Sequence, residues 1–287
     1  MRHSLSFFSC LVACLLAAPA FATPSLLAPN AQDLSGTRAM AMGDAFRAVA
    51  SSNEAIYFNL AGMAQARKYE MDLAYAFDRG NDLSRFNGSI VDSKTTTFGT
   101  GLAYTRLTGS GIDGEASGSI VNLGFGVPLG ERTAFGFGFK YLGFSEPERT
   151  QAVTGDVGLL VRPLDLLTLG AAAYNVIDVH SPEAPLRAGV GVAVGSDTTF
   201  RVAFDTVFDL SRADETSTSY HAGAEYLFEG LVLRAGFKHL ADEGHSYASG
   251  GVGFVAPEGG LEAAYVQGLQ GGHGADRTFS FSLKIFL

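Results

Sequence analysis

Ionisable residues recur at alternate positions of otherwise apolar segments: Glu70, Asp72, Asp156, Asp205, Glu225 and Glu262, with Lys140, Arg162, Arg187, Arg201, Arg234, Lys238 and Lys284. Near-equal signs suit mutual pairing into a bracing network, and the same set could also line a solute path. Ser219, His221 and Glu225 follow one another on one face, the residue types of a nucleophile, its base and an orienting acid. On a strand, however, residues two apart stand roughly 6–7 Å from each other. That spacing predicts no Ser–His hydrogen bond and no catalytic residue. His180, His245 and His273 fall in separate polar connectors, where lone histidines are solvated and not metal ligands. The only cysteines, Cys10 and Cys14, lie in the first apolar stretch. Neither a disulfide, a Cys-ligated metal nor any cofactor is expected beyond it.

Strands must position these charges, because the segments carrying them alternate with period two. Tyr69, Met71, Leu73, Tyr75 and Phe77 share one face; Glu70, Asp72, Ala74 and Ala76 share the other. Phe135, Phe137, Phe139 and Tyr141 oppose Ala134, Gly136, Gly138 and Lys140 in the same way. The pattern predicts strands over 69–78, 84–92, 95–106, 117–128, 133–144, 151–162, 166–177, 185–195, 198–209, 218–228, 231–240, 247–256, 260–268 and 277–287. Tight turns such as Ser196-Asp197 and Glu229-Gly230 alternate with longer polar connectors at 106–117, 145–150, 178–184, 209–217, 241–246 and 269–276. An even strand count with turns short on one side is the pattern of an all-β, antiparallel transmembrane β-barrel of about 14 strands.

Hydrophobic residues make up 47% of the chain, yet past Leu16 no apolar run approaches the roughly 18 residues of a spanning helix. A membrane would be crossed by strands, with the apolar face on lipid. An Arg or Lys there would cost about 2–4 kcal/mol at mid-bilayer, so the charges must face the lumen. The chain ends on Phe279, Phe281, Leu283, Ile285 and Leu287, alternating with Ser280, Ser282, Lys284 and Phe286. This is the kind of closing strand barrel assembly machinery reads. Tyr69, Tyr104, Tyr141, Tyr226, Phe228 and Tyr265 suit interfacial girdles, although tryptophan is absent. Outer-membrane lipid and lipopolysaccharide are the expected surroundings. Gly99, Gly101, Gly124, Gly126, Gly136, Gly138, Gly189 and Gly191 on the lumen side either make room for something inside or permit sharp curvature.

The N-terminus reads as an export signal over 1–22. Arg2 and His3 precede an apolar stretch from Leu5 to Leu16, and Ala20-Phe21-Ala22 offers cleavage after Ala22. A rival reading takes Leu11-Val12-Ala13-Cys14 as a lipobox. Removing the signal changes a formal net charge of −9 to −10, which excludes a phosphate-tracking nucleic-acid binder. Residues 23–68 form a separate segment ahead of the barrel at 69–287. Met42, Phe46 and Val49 fall on one face of a short helical pattern, and Asn53 is placed to cap a second helix carrying Ile56, Tyr57 and Leu60. Too short to fold alone, these pieces need a surface, and the lumen is nearest.

Gly36-Thr37-Arg38-Ala39-Met40-Ala41-Met42-Gly43-Asp44-Ala45-Phe46 followed by Asn59-Leu60-Ala61-Gly62-Met63 resembles the start of FadL-type outer-membrane transporters and the related PorV-type proteins. Leu169 to Asn175 followed by Pro185 to Val190 is similar to a strand pair of PorV-type chains. The chain has Asn59-Leu60-Ala61 where the family has Asn-Pro-Ala. The resemblance implies a small helical hatch inside a 14-stranded barrel in the bacterial outer membrane, with Arg38, Met40, Met42, Gly43, Phe46, Asn59 and Gly62 as hatch residues. It further implies passive passage of a small hydrophobic molecule, with a disturbed early strand opening sideways, here near Asn87-Gly88. The alternative is a non-transporting barrel that docks an envelope protein.

Overall fold

The computed structural model describes residues 36–287 except 66, 81, 112–113, 147–149, 180, 182, 212–216 and 270–275. The expected signal segment with its cleavage point, the lipobox, His180 and His273 lie outside the described residues.

Fourteen strands close into one antiparallel barrel: β1 Tyr69–Asp78, β2 Leu83–Asp92, β3 Gly99–Gly111, β4 Gly114–Pro128, β5 Thr133–Glu146, β6 Thr150–Leu164, β7 Leu167–Tyr174, β8 Arg187–Gly195, β9 Phe200–Asp209, β10 Ser217–Phe228, β11 Leu231–Leu240, β12 His245–Ala256, β13 Gly259–Gly268 and β14 Arg277–Phe286. Each pairs with its sequence neighbours, and β14 closes on β1 from Glu70↔Phe286 to Asp78↔Thr278. The Leu287 amide adds a bond to the Tyr69 carbonyl at 2.9 Å. Closure pairs every strand with two neighbours, as lipid requires, except over the first half of β6, where a connector takes the place of β7. The predicted alternation holds along the strands. Leu73, Phe204, Leu233 and Phe281 stand outward and exposed, while Ala74, Ala203, Val232 and Ser280 are buried on the inner side. An exposed apolar face of this extent belongs against hydrocarbon.

Several expected boundaries move. β3 begins at Gly99 instead of residue 95, because Asp92 takes the Lys94 and Thr95 amides at 2.9 and 3.0 Å and folds the intervening chain into a turn. β3 and β4 instead run on through the expected 106–117 loop, and β5 and β6 extend past both ends of 145–150. Polar side chains read as a loop there, but a ladder needs only backbone groups. β7 stops at Tyr174 and not at 177, because Asn175 adopts a φ of 55° that leaves the extended conformation.

The hatch threads the lumen: α1 Thr37–Ala41, a tight turn, a 3₁₀ turn Ser52–Glu54, α2 Ala55–Phe58 and a second 3₁₀ turn Leu60–Ala64. The helix expected through Met42, Phe46 and Val49 does not form. Gly43 and Asp44 both hold φ 62°, which reverses the chain after α1. The three side chains are buried all the same. Asn53 does not cap α2; its Nδ2 donates to Ser89 Oγ on β2 at 2.8 Å. Asn59 is the capping residue, accepting from the Ala61 amide at 3.2 Å ahead of the second 3₁₀ turn. Here Leu60 occupies the first helical position, where proline fits in other chains. Its side chain lies over Gly124 and Gly138.

All eight lumen glycines named from the sequence are crowded at their missing side chains. For six of them the hatch alone does the crowding. A Cβ on Gly99 would come within 2.6 Å of the Met63 carbonyl oxygen, and one on Gly124 within 2.5 Å of a Leu60 methyl. At Gly138 and Gly191 the wall shares that contact, through Leu123 and Asp205. Gly158, Gly170, Gly223, Gly236 and Gly251 continue the cradle against Asn59, Arg47, Met42, Gly43 and Ala41.

Candidate functional site: the hatch, its anchors and the wall beside it

Most lumen charges named from the sequence meet a partner, and several of those partners belong to the hatch. Glu225 on β10 accepts from three guanidiniums: Arg38 of α1 at 2.7 and 2.8 Å, Arg201 of β9 at 2.8 Å and Arg234 of β11 at 2.7 Å. Arg234 continues to Glu262 at 2.8 Å, which also binds Lys284 at 2.9 Å. Asp205 accepts the Phe46 and Arg47 amides at 2.8 and 2.7 Å. Lys238 reaches Asp44 at 3.3 Å, and Glu70 accepts from Ser52 Oγ at 2.6 Å. Lys140 pairs with Asp156 at 2.9 Å, and Arg187 lies 3.6 Å from Asp209. Arg162 and Asp72 are not in a salt bridge to a described residue. The remaining hatch residues pack: Met40 against Ala76 and Ala264, Met42 over Gly223, and Gly62 against the Ala50 backbone. Phe46 stacks at a tilt on Phe58, ring centres 5.4 Å apart.

Sequence reasoning named Arg38 but missed two other ionisable members of the hatch, Arg47 and Glu54. Arg47 is buried at 3% exposure, beside both Phe58 and Tyr174 at 5.7 and 5.6 Å. Glu54 accepts from the Arg38 amide at 2.9 Å; burial pushes its carboxyl above the usual range, with the Lys284 charge opposing. Arg85 on β2 is 3% exposed and touches Met40 Sδ at 3.6 Å. Its alternation with Phe86 and Asn87 was a usable signal.

The Ser–His expectation is overturned. Ser219 Oγ and His221 Nε2 are 2.9 Å apart. Backbone spacing along the strand does not limit two side chains that lean toward each other. His221 is 1% exposed, and its Nδ1 lies 2.8 Å from the Gly43 carbonyl oxygen, which can only accept. Nδ1 therefore carries the proton. Glu225 is engaged by arginines, so the third member of a catalytic set is not supplied, and the histidine ties the hatch turn to the wall.

The sideways opening expected near Asn87-Gly88 is not there. Both residues are paired on each side, Asn87 with Ala74 and Thr105, Gly88 with Leu73 and Tyr104. Besides a register shift at Ser117/Gly118 between β4 and β5, the wall is irregular at β6–β7. Their ladder ends at Val157↔Ala173, so β6 residues 150–156 have no strand on that side. The chain after β7 fills the notch instead. Asn175 N–H donates to Asp156 Oδ1 at 2.8 Å, Val176 N–H to the Gly155 carbonyl at 2.9 Å, and Thr154 Oγ1 to the Ile177 carbonyl at 2.8 Å. Lys140 and the Pro185 carbonyl clamp the Asn175 side chain at 3.1 and 2.8 Å. Val179 and Ala184 of the same connector pack onto inward-facing Leu83, Leu107, Ile120, Leu142 and Phe144. This apolar cluster sits at the end of the barrel carrying the longer connectors.

The fold is a closed 14-stranded antiparallel barrel with an apolar outer face and an N-terminal segment held inside by ion pairs, and solved outer-membrane barrels of FadL type share that fold. The chain is similar to the crystal structure of a Pseudomonas aeruginosa FadL homologue, with a TM-score of 0.61 and 13% identity over 93% of this chain and 99% of that one. It is similar to the P. putida toluene transporter TodX, with a TM-score of 0.58 and 12% identity over 86% and 96%. The Ralstonia pickettii toluene transporter TbuX gives 0.56 and 11% over 89% and 98%. No protein-family model and no curated protein sequence matches the chain.

Proposed function

We propose that the protein is a bacterial outer-membrane barrel through which small hydrophobic molecules pass without an energy source. The observation that carries this reading is the buried apolar cluster of Leu83, Leu107, Ile120, Leu142 and Phe144 on the inner wall, covered by Val179 and Ala184 of the β7–β8 connector. Inward-facing apolar side chains at a barrel mouth are out of place in a water-filled pore, which is lined by polar groups. They suit a solute that leaves water. The connector that covers this cluster also fills the β6–β7 notch, held there by hydrogen bonds instead of a strand. Toluene is the cargo named for TodX and TbuX, and a molecule of that polarity would be at home among such side chains once the connector moves aside. The hatch blocks the straight path, so passage requires either its displacement or movement through the notch.

A second reading, a non-transporting barrel that docks envelope proteins, is favoured by the number of hydrogen bonds and ion pairs joining hatch and wall. Uptake of labelled toluene by a deletion strain, with and without the restored gene, separates the two. Lower uptake in the deletion, restored by the gene, is expected. Unchanged uptake together with co-purification of a stable envelope partner would replace the first reading with the second.

A further inference from the structure

A cavity of about 270 Å³ opens under the hatch at the short-turn end of the barrel, opposite the apolar cluster around Leu142. Arg38, Lys68, Arg162, Arg201, Arg234 and Lys284 line it, against four carboxylates, so its wall carries two surplus positive charges. Two of the carboxylates, Glu225 and Glu262, are already saturated by Arg38, Arg201, Arg234 and Lys284. Even so, donors are left over. Arg201 Nε and Arg234 Nη1 have no hydrogen-bond partner, on residues 9% and 8% exposed. Arg162 makes no side-chain bond to a described residue. A buried guanidinium N–H without an acceptor is costly, and native proteins supply one.

We propose that this cavity binds a small oxyanion of the carboxylate or phosphate class, entering from the short-turn side. The protein's own Glu225 is the template: three guanidiniums already gather on one carboxylate, the fork geometry that arginine offers to oxyanions. A second anion placed toward Arg162 and Arg201 would take the unused donors and neutralise the surplus charge. Arg38 belongs to the hatch, so a bound anion also tightens the hatch's hold on the wall. The site stands whether or not a hydrophobic solute crosses the barrel.

Calorimetric titration of the full mature protein in nanodiscs tests this, with sodium phosphate in one arm and sodium butyrate in the other, at ionic strength held constant with sodium chloride. Saturable one-site binding is expected in at least one arm, weakened about tenfold or more by Arg201→Gln through loss of a charge-assisted contact. Arg162→Gln, which touches none of the Glu225 bonds, serves where Arg201→Gln fails to show the heat-modifiable gel migration of a folded barrel. Phosphate binding alone identifies a free inorganic ion as the ligand, and butyrate binding alone an organic acid. No saturable heat in either arm, or affinity unchanged in the folded variants, overturns the site.

Discussion

Asp205 and Arg47, 158 residues apart, are joined twice: Asp205 Oδ2 accepts the Arg47 amide at 2.7 Å and its Nη1 at 3.2 Å. Asp205 is fully buried, so truncation removes the one carboxylate that takes two hatch amides and pairs with the buried Arg47 guanidinium, leaving the latter its bond to the Asp44 carbonyl. Asp205→Ala is expected to destabilise the folded barrel by about 3–5 kcal/mol, read from the denaturant midpoint in detergent micelles. A change below about 1 kcal/mol would mean that the hatch contributes little to the barrel's stability.

Gly43 tests the fit of the hatch turn. A Cβ there would lie 2.6 Å from both the amide nitrogen and the carbonyl oxygen of Phe237, and its φ of 62° disfavours any branched residue. Gly43→Val should cost about 3 kcal/mol or more and expose the hatch to trypsin at Arg38 or Arg47. Gly250→Ala is the matched control, since its Cβ would meet nothing nearer than the Arg234 carbonyl at 3.7 Å. It should stay within about 0.5 kcal/mol of the parent.

The lipid-facing belt makes its own prediction. Phe281 on β14 is 58% exposed and alternates with buried Ser280 and Ser282. Phe281→Lys should lower stability by about 2–4 kcal/mol in bilayers, measured by reversible unfolding in liposomes. Equal stability of the two proteins would be incompatible with β14 facing hydrocarbon at that depth.

Asn175 holds the notch beside β6. Asn175→Ala leaves Lys140 and the Pro185 carbonyl each short of a partner, at an expected local cost of about 1–3 kcal/mol. Hydrogen exchange at the Val176 amide should accelerate while that of β1 and β14 stays constant. Cells carrying the variant should take up the hydrophobic probe 1-N-phenylnaphthylamine faster. If the notch loosens and uptake does not change, the passage does not run through it.

Strand number, strand faces and the closing strand were legible because β alternation is a local, period-two property, and all fourteen predicted strands are present. The errors share a cause. Polar residues near 106–117 read as a loop although their backbones stay paired. Met42 to Val49 reads as helical although two positive φ values at Gly43 and Asp44 break it. The Ser219–His221 bond was rejected on backbone spacing although side chains set that distance. In each case a pattern of residue types stood in for geometry that neighbours decide.

By itself, then, the sequence determined that this chain alternates its way across a membrane fourteen times and keeps charge off the lipid, because hydrocarbon penalises each misplaced group separately. Only the tertiary structure decided which charges meet. Glu225 gathers arginines from a hatch and two strands, and β6 begins beside a connector instead of a strand. Those are contacts between residues far apart in the chain, set by how a closed barrel folds around what it encloses.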